Sequence, residues 1–272
     1  MARDLGLEFR ALHQPGNPFI LANAWDGGSA KMLAGLGAKA IATSSAAQAF
    51  TLGRPDGTVT RDEALAHAQD LMSMVDVPVS GDFENGFGDN PDDVAETVRL
   101  SGEIGLAGIC IEDTRLAETS HYDRALAVER IRAAVAAARA LPHDFFLVAR
   151  ADGVMIDTYD IEEALWRIKA FDDAGADGLY VPLPKSLADL QRVVDVTDKP
   201  VNVLAAGPYS KVSQSDYAKM GLARISLGSA LARATHRVIF DAAKGMFEEG
   251  DLSALSNALP GRIADGYLGA TS

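Results

Sequence analysis

The stretch SGEIGLAGICI, residues 101–111, runs from a helix end into a strand through a single glycine. Gly105 can take the left-handed conformation that closes a helix. The apolar, β-branched run behind it has the composition of a buried strand. The same joint recurs in AGLGAKAIA (34–42), FDDAGADGLYV (171–181) and YAKMGLARISL (217–227). A joint repeated this regularly predicts alternation of helices with buried strands, the pattern of a parallel sheet.

Working outward, apolar β-rich runs appear at 18–25, 40–45, 77–84, 108–113, 145–152, 178–184, 200–206 and 223–230. Between them lie segments such as DDVAETVRLSGEIG and IEEALWRIKAFDDAG, whose apolar residues are spaced three and four apart, as in helices packed on a sheet. The four glycine joints precede runs two, four, six and eight, while runs three and seven follow proline in DVPV and DKPV. Proline can open a strand without losing an internal ladder bond. Eight such units predict an α/β fold, a parallel (β/α)8 TIM barrel, with residues 1–272 as a single domain. No GxGxxG or GxxxxGK[ST] fingerprint follows a strand, which argues against a nucleotide-binding open sheet. From 231 on, LARATHRVIFDAAKGMFEEG reads as a long helix opening a C-terminal helical segment, 231–272.

The chain carries 38 acids against 25 bases, a net charge of −13, with no basic cluster. Nucleic acid and anionic membranes are therefore not expected partners. A small anionic substrate needs a local positive element in such a field. One cysteine, Cys110, rules out an intrachain disulfide framework. With early acids and no apolar stretch of signal-peptide length in MARDLGLEFRALHQPGNPFI, the cytoplasm is the expected compartment.

In a parallel barrel, chemistry sits at the carboxyl ends of the strands. Those ends carry Thr43, Ser44 and Ser45, then Asp82 and Glu84, Glu112 and Asp113, Arg150 and Asp152, and Asn202. Residues two apart in a strand share a face, so Asp82 and Glu84 are expected to project together, with Glu112 joining from the next strand. Carboxylates crowded this way call for a hard divalent ion, Mg²⁺ or Mn²⁺. Arg150 is placed to clamp a substrate carboxylate with paired hydrogen bonds.

These residues resemble the isocitrate lyase and phosphoenolpyruvate mutase superfamily, from NAWD (23–26) through Asn202. DFENGFG (82–88) is similar to its D-x-[DE]-x-G-[FY]-G signature, LGRPDG (52–57) to its LGxPD loop, and ICIED and LVARAD supply matching Glu112 and Arg150. The resemblance implies a Mg²⁺ held by Asp82, with Glu84, Glu112 and Asp56 reached largely through water. It further implies that Arg150, Asn202 and the backbone at Thr43 to Ser45 take the carboxylate of a small 2-oxo or 2-hydroxy acid. Cleavage of a carbon–carbon bond, by retro-aldol reaction or decarboxylation through an enolate, is the implied activity. A homotetramer, with the last helix of one subunit packed on its neighbour, is the implied assembly.

The chain departs from that pattern in the region EDTRLAETSHYDRALAVER (112–130), which lacks the K-[KR]-C-G-H loop of the isocitrate-type lyases. Cys110 precedes Glu112 inside a strand and does not correspond to the cysteine of that loop. Val181, Pro182 and Leu183 stand where the lyases carry a glutamate after proline. His121 and Tyr122 remain as candidate proton-transfer groups in the loop, and Trp25 as a candidate pocket wall. Phosphonopyruvate hydrolase or phosphoenolpyruvate mutase chemistry is the alternative, although the longer asparagine-bearing loop of those members is absent. Independently of any resemblance, GPYS (207–210) and GSALAR (228–233) could bind phosphate, with Lys185 forming a Schiff base.

Overall fold

The computed structural model of the chain describes residues 3–115 and 118–269. The strands, in chain order, are β1 (Phe19–Asn23), β2 (Ile41–Ala42), β3 (Val79–Asp82), β4 (Gly108–Glu112), β5 (Thr114–Arg115), β6 (Ser120–His121), β7 (Phe146–Arg150), β8 (Gly178–Tyr180), β9 (Val201–Leu204) and β10 (Arg224–Ser226). Among the described residues, all but β5 and β6 form one closed parallel barrel, in which β10 pairs with β1. β5 and β6 make a separate antiparallel hairpin above β4. The expected barrel is present, and each of its strands lies within one of the apolar runs.

The helices are α1 (Leu5–Leu12), α2 (Gly27–Gly35), α3 (Ser45–Thr51), α4 (Arg61–Met74), α5 (Pro91–Glu103), α6 (Arg124–Arg139), α7 (Ile161–Asp173), α8 (Leu187–Asp195), α9 (Gln214–Lys219), α10 (Ala230–Lys244) and α11 (Gly261–Leu268). The four repeated joints close alike. Gly37, Gly105, Gly175 and Gly221 have φ of 103°, 94°, 99° and 88°. The next amide reaches back five residues: Ala38 to Leu33, Leu106 to Ser101, Ala176 to Phe171 and Leu222 to Tyr217. This is a Schellman closure, and it aims the chain from the helix end straight into the following strand. Pro78 and Pro200 stand immediately before β3 and β9, where their carbonyls accept from Ile41 and Leu179.

Two apolar layers follow from the alternation of side chains along each strand. Outward residues such as Val79, Ile109, Ile111 and Leu147 pack with the helices in the larger layer. Inward residues form a smaller one at the amino ends, where α1 crosses beneath the barrel and Phe9 meets Phe19 and Phe146 edge to face. His13 completes this floor by stacking on Phe146 at 3.8 Å.

The C-terminal segment is helical, as expected, but its first helix stops at Lys244 rather than running to 250. A wider π turn, Gly245–Glu249, follows and ends at Gly250 with φ 69°. α11 returns to the body of its own chain, where Lys31 Nζ donates to the Leu268 carbonyl at 3.3 Å. α10 leaves Val238, Ile239 and Phe240 exposed, and Phe247 beyond it is 85% exposed.

Candidate active site

Strand register assembles the site. Glu112 pairs with Arg150, Arg150 with Tyr180, Tyr180 with Asn202, and Asn202 with Arg224. Register neighbours in a parallel sheet share a face, so this row points into the barrel. Asp82 and Cys110 form an adjacent pair. A cavity of about 150 Å³ opens at the carboxyl ends of the strands. Asp56, Asp82, Glu112, Arg150 and the segment Thr43 to Ser45 line it, as do Cys110, Tyr180 and Arg224.

Arg150 is the electrostatic centre. Its Nη1 lies 3.0 Å from Asp82 Oδ1 and 2.8 Å from Glu112 Oε1, while Nε and Nη2 grip both oxygens of Asp152. Burial pushes the Glu112 carboxyl well above the usual range; Arg150 opposes this, and Asp152, Asp82 and Glu84 add to it. Burial likewise raises Asp152 to about 6 against the pull of Arg150. Asp82 is fixed from the other side: its Oδ2 accepts from Ser45 N and Oγ at 3.1 and 3.3 Å, and its own amide donates to Thr43 Oγ1 at 2.8 Å. Ser44 caps α3. Asp56 stands on an exposed turn, yet crowding of its carboxyl and the charge of Asp82 raise it. Cys110 donates to Asp82 Oδ1 at 3.3 Å, and burial pushes its thiol up to about 12, so it is a neutral lining group.

Glu84 does not reach the site by strand alternation. β3 ends at Asp82, and Glu84 lies in the following turn at φ 45°, in the left-handed region, with Gly86 at 83° and Phe87 at 60°. Gly88 has no positive φ; a Cβ there would fall 2.4 Å from the Asp93 side chain, so close approach is its reason. The strand stops because this turn folds back under Arg130, which donates to the carbonyls of Asn85, Gly88 and Asp89. Burial, then Asp82 and Asp56, push the Glu84 carboxyl up to about 8, and its Oε1 is buried without a hydrogen-bond partner.

The expected carboxylate trio is likewise modified. Among the described residues no three His, Cys, Asp or Glu side chains converge tightly enough to hold an ion as they stand. Arg150 occupies the space between Asp82 and Glu112. The donor set nevertheless suits a hard cation: the acids supply only oxygen, repel one another, and leave Glu84 Oε1 unpartnered.

The other candidates fall elsewhere. Tyr122 is buried under the turn, donating to Asp89 Oδ1 at 2.7 Å and accepting from Asn85 Nδ2 at 2.8 Å, between the guanidinium groups of Arg115 and Arg130. Burial and Asp89 push its hydroxyl up to about 12. It braces the turn and does not line the cavity. His121 sits on β6 against Tyr159, facing a separate shallow depression. Residues 116–117 of that short loop lie outside the described residues. Trp25 is also absent from the cavity wall; its carbonyl contacts His67 Nε2 at 2.9 Å. Asn202 acts one layer back, donating to Ser226 Oγ and accepting from Arg224 Nε. Lys185 is exposed and paired with Asp157 at 3.2 Å, away from the cavity, which removes the support for a Schiff base there.

Sequence reasoning missed three arginines. Arg130 and Arg167 are spaced as helix residues among many, and only their near-complete burial marks them. Arg167 Nη1 meets Asp113 Oδ2 at 3.0 Å, and Asp113 also accepts from the Asp152 amide and the Tyr159 hydroxyl. Arg224 was detectable as a lone charge inside the apolar run LARISL.

The family model described as phosphoenolpyruvate phosphomutase matches residues 9–247. The chain belongs to this family. A solved structure of a candidate lyase/mutase from Burkholderia cenocepacia J2315 is 41% identical to this phosphomutase-family chain, with a TM-score of 0.93 over 98% of the chain and 96% of that protein. The 2-methylisocitrate lyase of Salmonella typhimurium is 31% identical over 248 residues, 86% of this chain and 83% of the relative. The oxaloacetate decarboxylase of Pseudomonas putida is 28% identical over 247 residues, 88% and 83% of the two chains. The chain therefore belongs to the isocitrate lyase and phosphoenolpyruvate mutase superfamily, a superfamily of enzymes. Among the described residues no helix is long and apolar enough to cross a membrane.

Proposed function

We propose that the chain is a Mg²⁺-dependent lyase that breaks a carbon–carbon bond in a small 2-oxo or 2-hydroxy acid. The observation that carries this reading is the unpartnered, buried Glu84 Oε1 beside Asp82 and Asp56 at the barrel mouth. Asp82, Glu84, Glu112 and Asp56 would hold the cation, Mg²⁺ or Mn²⁺. When bound, it supplies stabilisation of negative charge growing on the substrate oxygen beside the breaking bond.

The protein's own groups orient the rest. Ser45 holds the Asp82 carboxylate through its amide and hydroxyl, and Thr43 Oγ1 holds the Asp82 backbone amide. Asp152, fixed through its amide by Asp113, holds the Arg150 guanidinium flat at the cavity wall, where it would meet the substrate carboxylate. Ser44 and the Ser45 backbone border the same space. Since His121 and Tyr122 stand outside the cavity, the proton delivered to the product carbon would come from water, which suits decarboxylation as well as retro-aldol cleavage.

The test is a panel of oxaloacetate, 2-methylisocitrate and 2,3-dimethylmalate assayed with Mg²⁺ and with EDTA. Absence of Mg²⁺-dependent turnover on all three would remove the reading. Phosphonopyruvate belongs in the same panel because the matching family model is that of a phosphomutase; release of inorganic phosphate would decide for phosphorus–carbon chemistry.

The exposed apolar residues Val238, Ile239 and Phe240 of α10 support a homo-oligomer, a tetramer by analogy, in which the segment from 231 packs on a neighbouring copy of this single-domain barrel. Light scattering on the purified chain tests it. A cytoplasmic setting agrees with the lone, unreactive Cys110.

A further inference from the structure

Arg224 is almost wholly buried, and among the described residues no carboxylate lies within ion-pair distance of it. Its Nε donates to Asn202 Oδ1 at 2.9 Å. Its Nη1 lies 3.4 Å from His13 Nε2. The His13 Nδ1 sits 2.8 Å from the Phe9 carbonyl, which can only accept, so Nδ1 carries the proton and Nε2 presents a lone pair to the arginine. Burial drives the His13 pKa well below its usual value, with Arg224 adding to the effect, so the ring is neutral. Both partners of the guanidinium are therefore uncharged acceptors.

A guanidinium has five donors, and these two partners engage only two of them. Arg224 also lines the cavity, and its charge and that of Arg150 repel each other across it. A buried cation with no carboxylate in ion-pair contact is costly unless something anionic meets it. The cavity, about 150 Å³, is well below the roughly 300 Å³ at which pockets for drug-sized ligands begin. A ligand with two anionic ends could place one at Arg150 and the other on the unengaged donors of Arg224.

We propose that Arg224 is a specificity-determining residue, which binds the second anionic group of a small dianionic acid from the floor side of the cavity. The assignment rests on the lyase reading of the site. It assigns the discrimination between two-carboxylate and one-carboxylate acids to a single residue of β10, away from the cation-holding acids.

The test uses Arg224→Met and Arg224→Lys in the full chain with Mg²⁺. Calorimetry would follow 3,3-difluorooxaloacetate, which carries two carboxylates, and pyruvate, which carries one. Arg224→Met is expected to weaken the dianion at least 100-fold and pyruvate less than threefold, with Arg224→Lys between wild type and Met for the dianion. The ligand-free Arg224→Met protein is expected to melt at the same or a higher temperature than wild type, since an unpaired buried charge has gone. A structural arginine would instead lower it. Equal loss of both ligands, loss of neither, or a lowered melting temperature with both affinities unchanged overturns the assignment while leaving the lyase reading in place. If the wild-type chain binds neither acid, the lyase reading fails and takes the assignment with it.

Discussion

The two ends of the barrel use the same strands for opposite purposes. At the amino ends, Phe9, Phe19, Phe146 and a neutral His13 fill the interior as a packed floor. At the carboxyl ends, Arg150 faces Asp82, Glu112 and Asp152, and Glu84 is held in a left-handed turn with an oxygen unsatisfied. The floor is built by ordinary apolar packing around a neutral ring. The mouth breaks several, and the surrounding bonds from Arg130, Tyr122 and Arg167 are what keep it in place. Strain concentrated where chemistry is expected, with its supports beneath, is the signature of a site maintained against stability.

That contrast can be broken from either side. The largest effect is expected from Asp82→Ala: turnover on the accepted oxo acid should fall by about 100- to 1,000-fold, in line with the loss of one preorganised charge-stabilising group. Its melting temperature should change little, and steady-state kinetics beside a thermal melt would show whether the two separate. Arg167→Leu strands the Asp113 carboxylate inside the protein and should cost about 3–5 kcal/mol, read from urea unfolding. Phe9→Ala should cost a similar 3–5 kcal/mol by opening the floor, yet leave KM of the folded enzyme unchanged. If Phe9→Ala altered KM as strongly as Asp82→Ala altered kcat, the separation of floor from mouth would be lost.

Much of this division could be read in the chain. The glycine joints and strand-opening prolines mark the barrel, because a Schellman closure is a local device written within about six residues. Asp82, Glu112 and Arg150 were legible for the same reason: each ends an apolar run. Glu84 was named as well, but its placement was not legible, because the strand period stops at Asp82 and the turn beyond it is braced by Arg130, which lies far along the sequence on α6. Tyr122 looked like a loop residue because nothing local shows that two arginines enclose it. Arg224 gained its meaning only when the register placed it in line with Arg150.

Smaller effects sharpen the comparison. Glu84→Gly should relieve both the positive φ and the orphaned oxygen, raising stability by about 1–3 kcal/mol while lowering turnover. Stability gained with activity retained would mean that Glu84 holds nothing. The pH response should differ between the ends. The folded-state pKa of His13 is depressed, so the unfolded chain binds the extra proton first, and the floor loses stability as pH falls below about 6.5. Replacing His13 with Gln should flatten that acid limb of the melting curve.

The row Glu112–Arg150–Tyr180–Asn202–Arg224 runs across five consecutive strands of the barrel. A one-residue slip between any two of these strands would turn a charge outward, into the apolar layer beneath the helices. A misaligned barrel would therefore carry an immediate electrostatic penalty, and the folding chain has a means of rejecting it. The charges gathered at the mouth also tell the sheet which alignment is right.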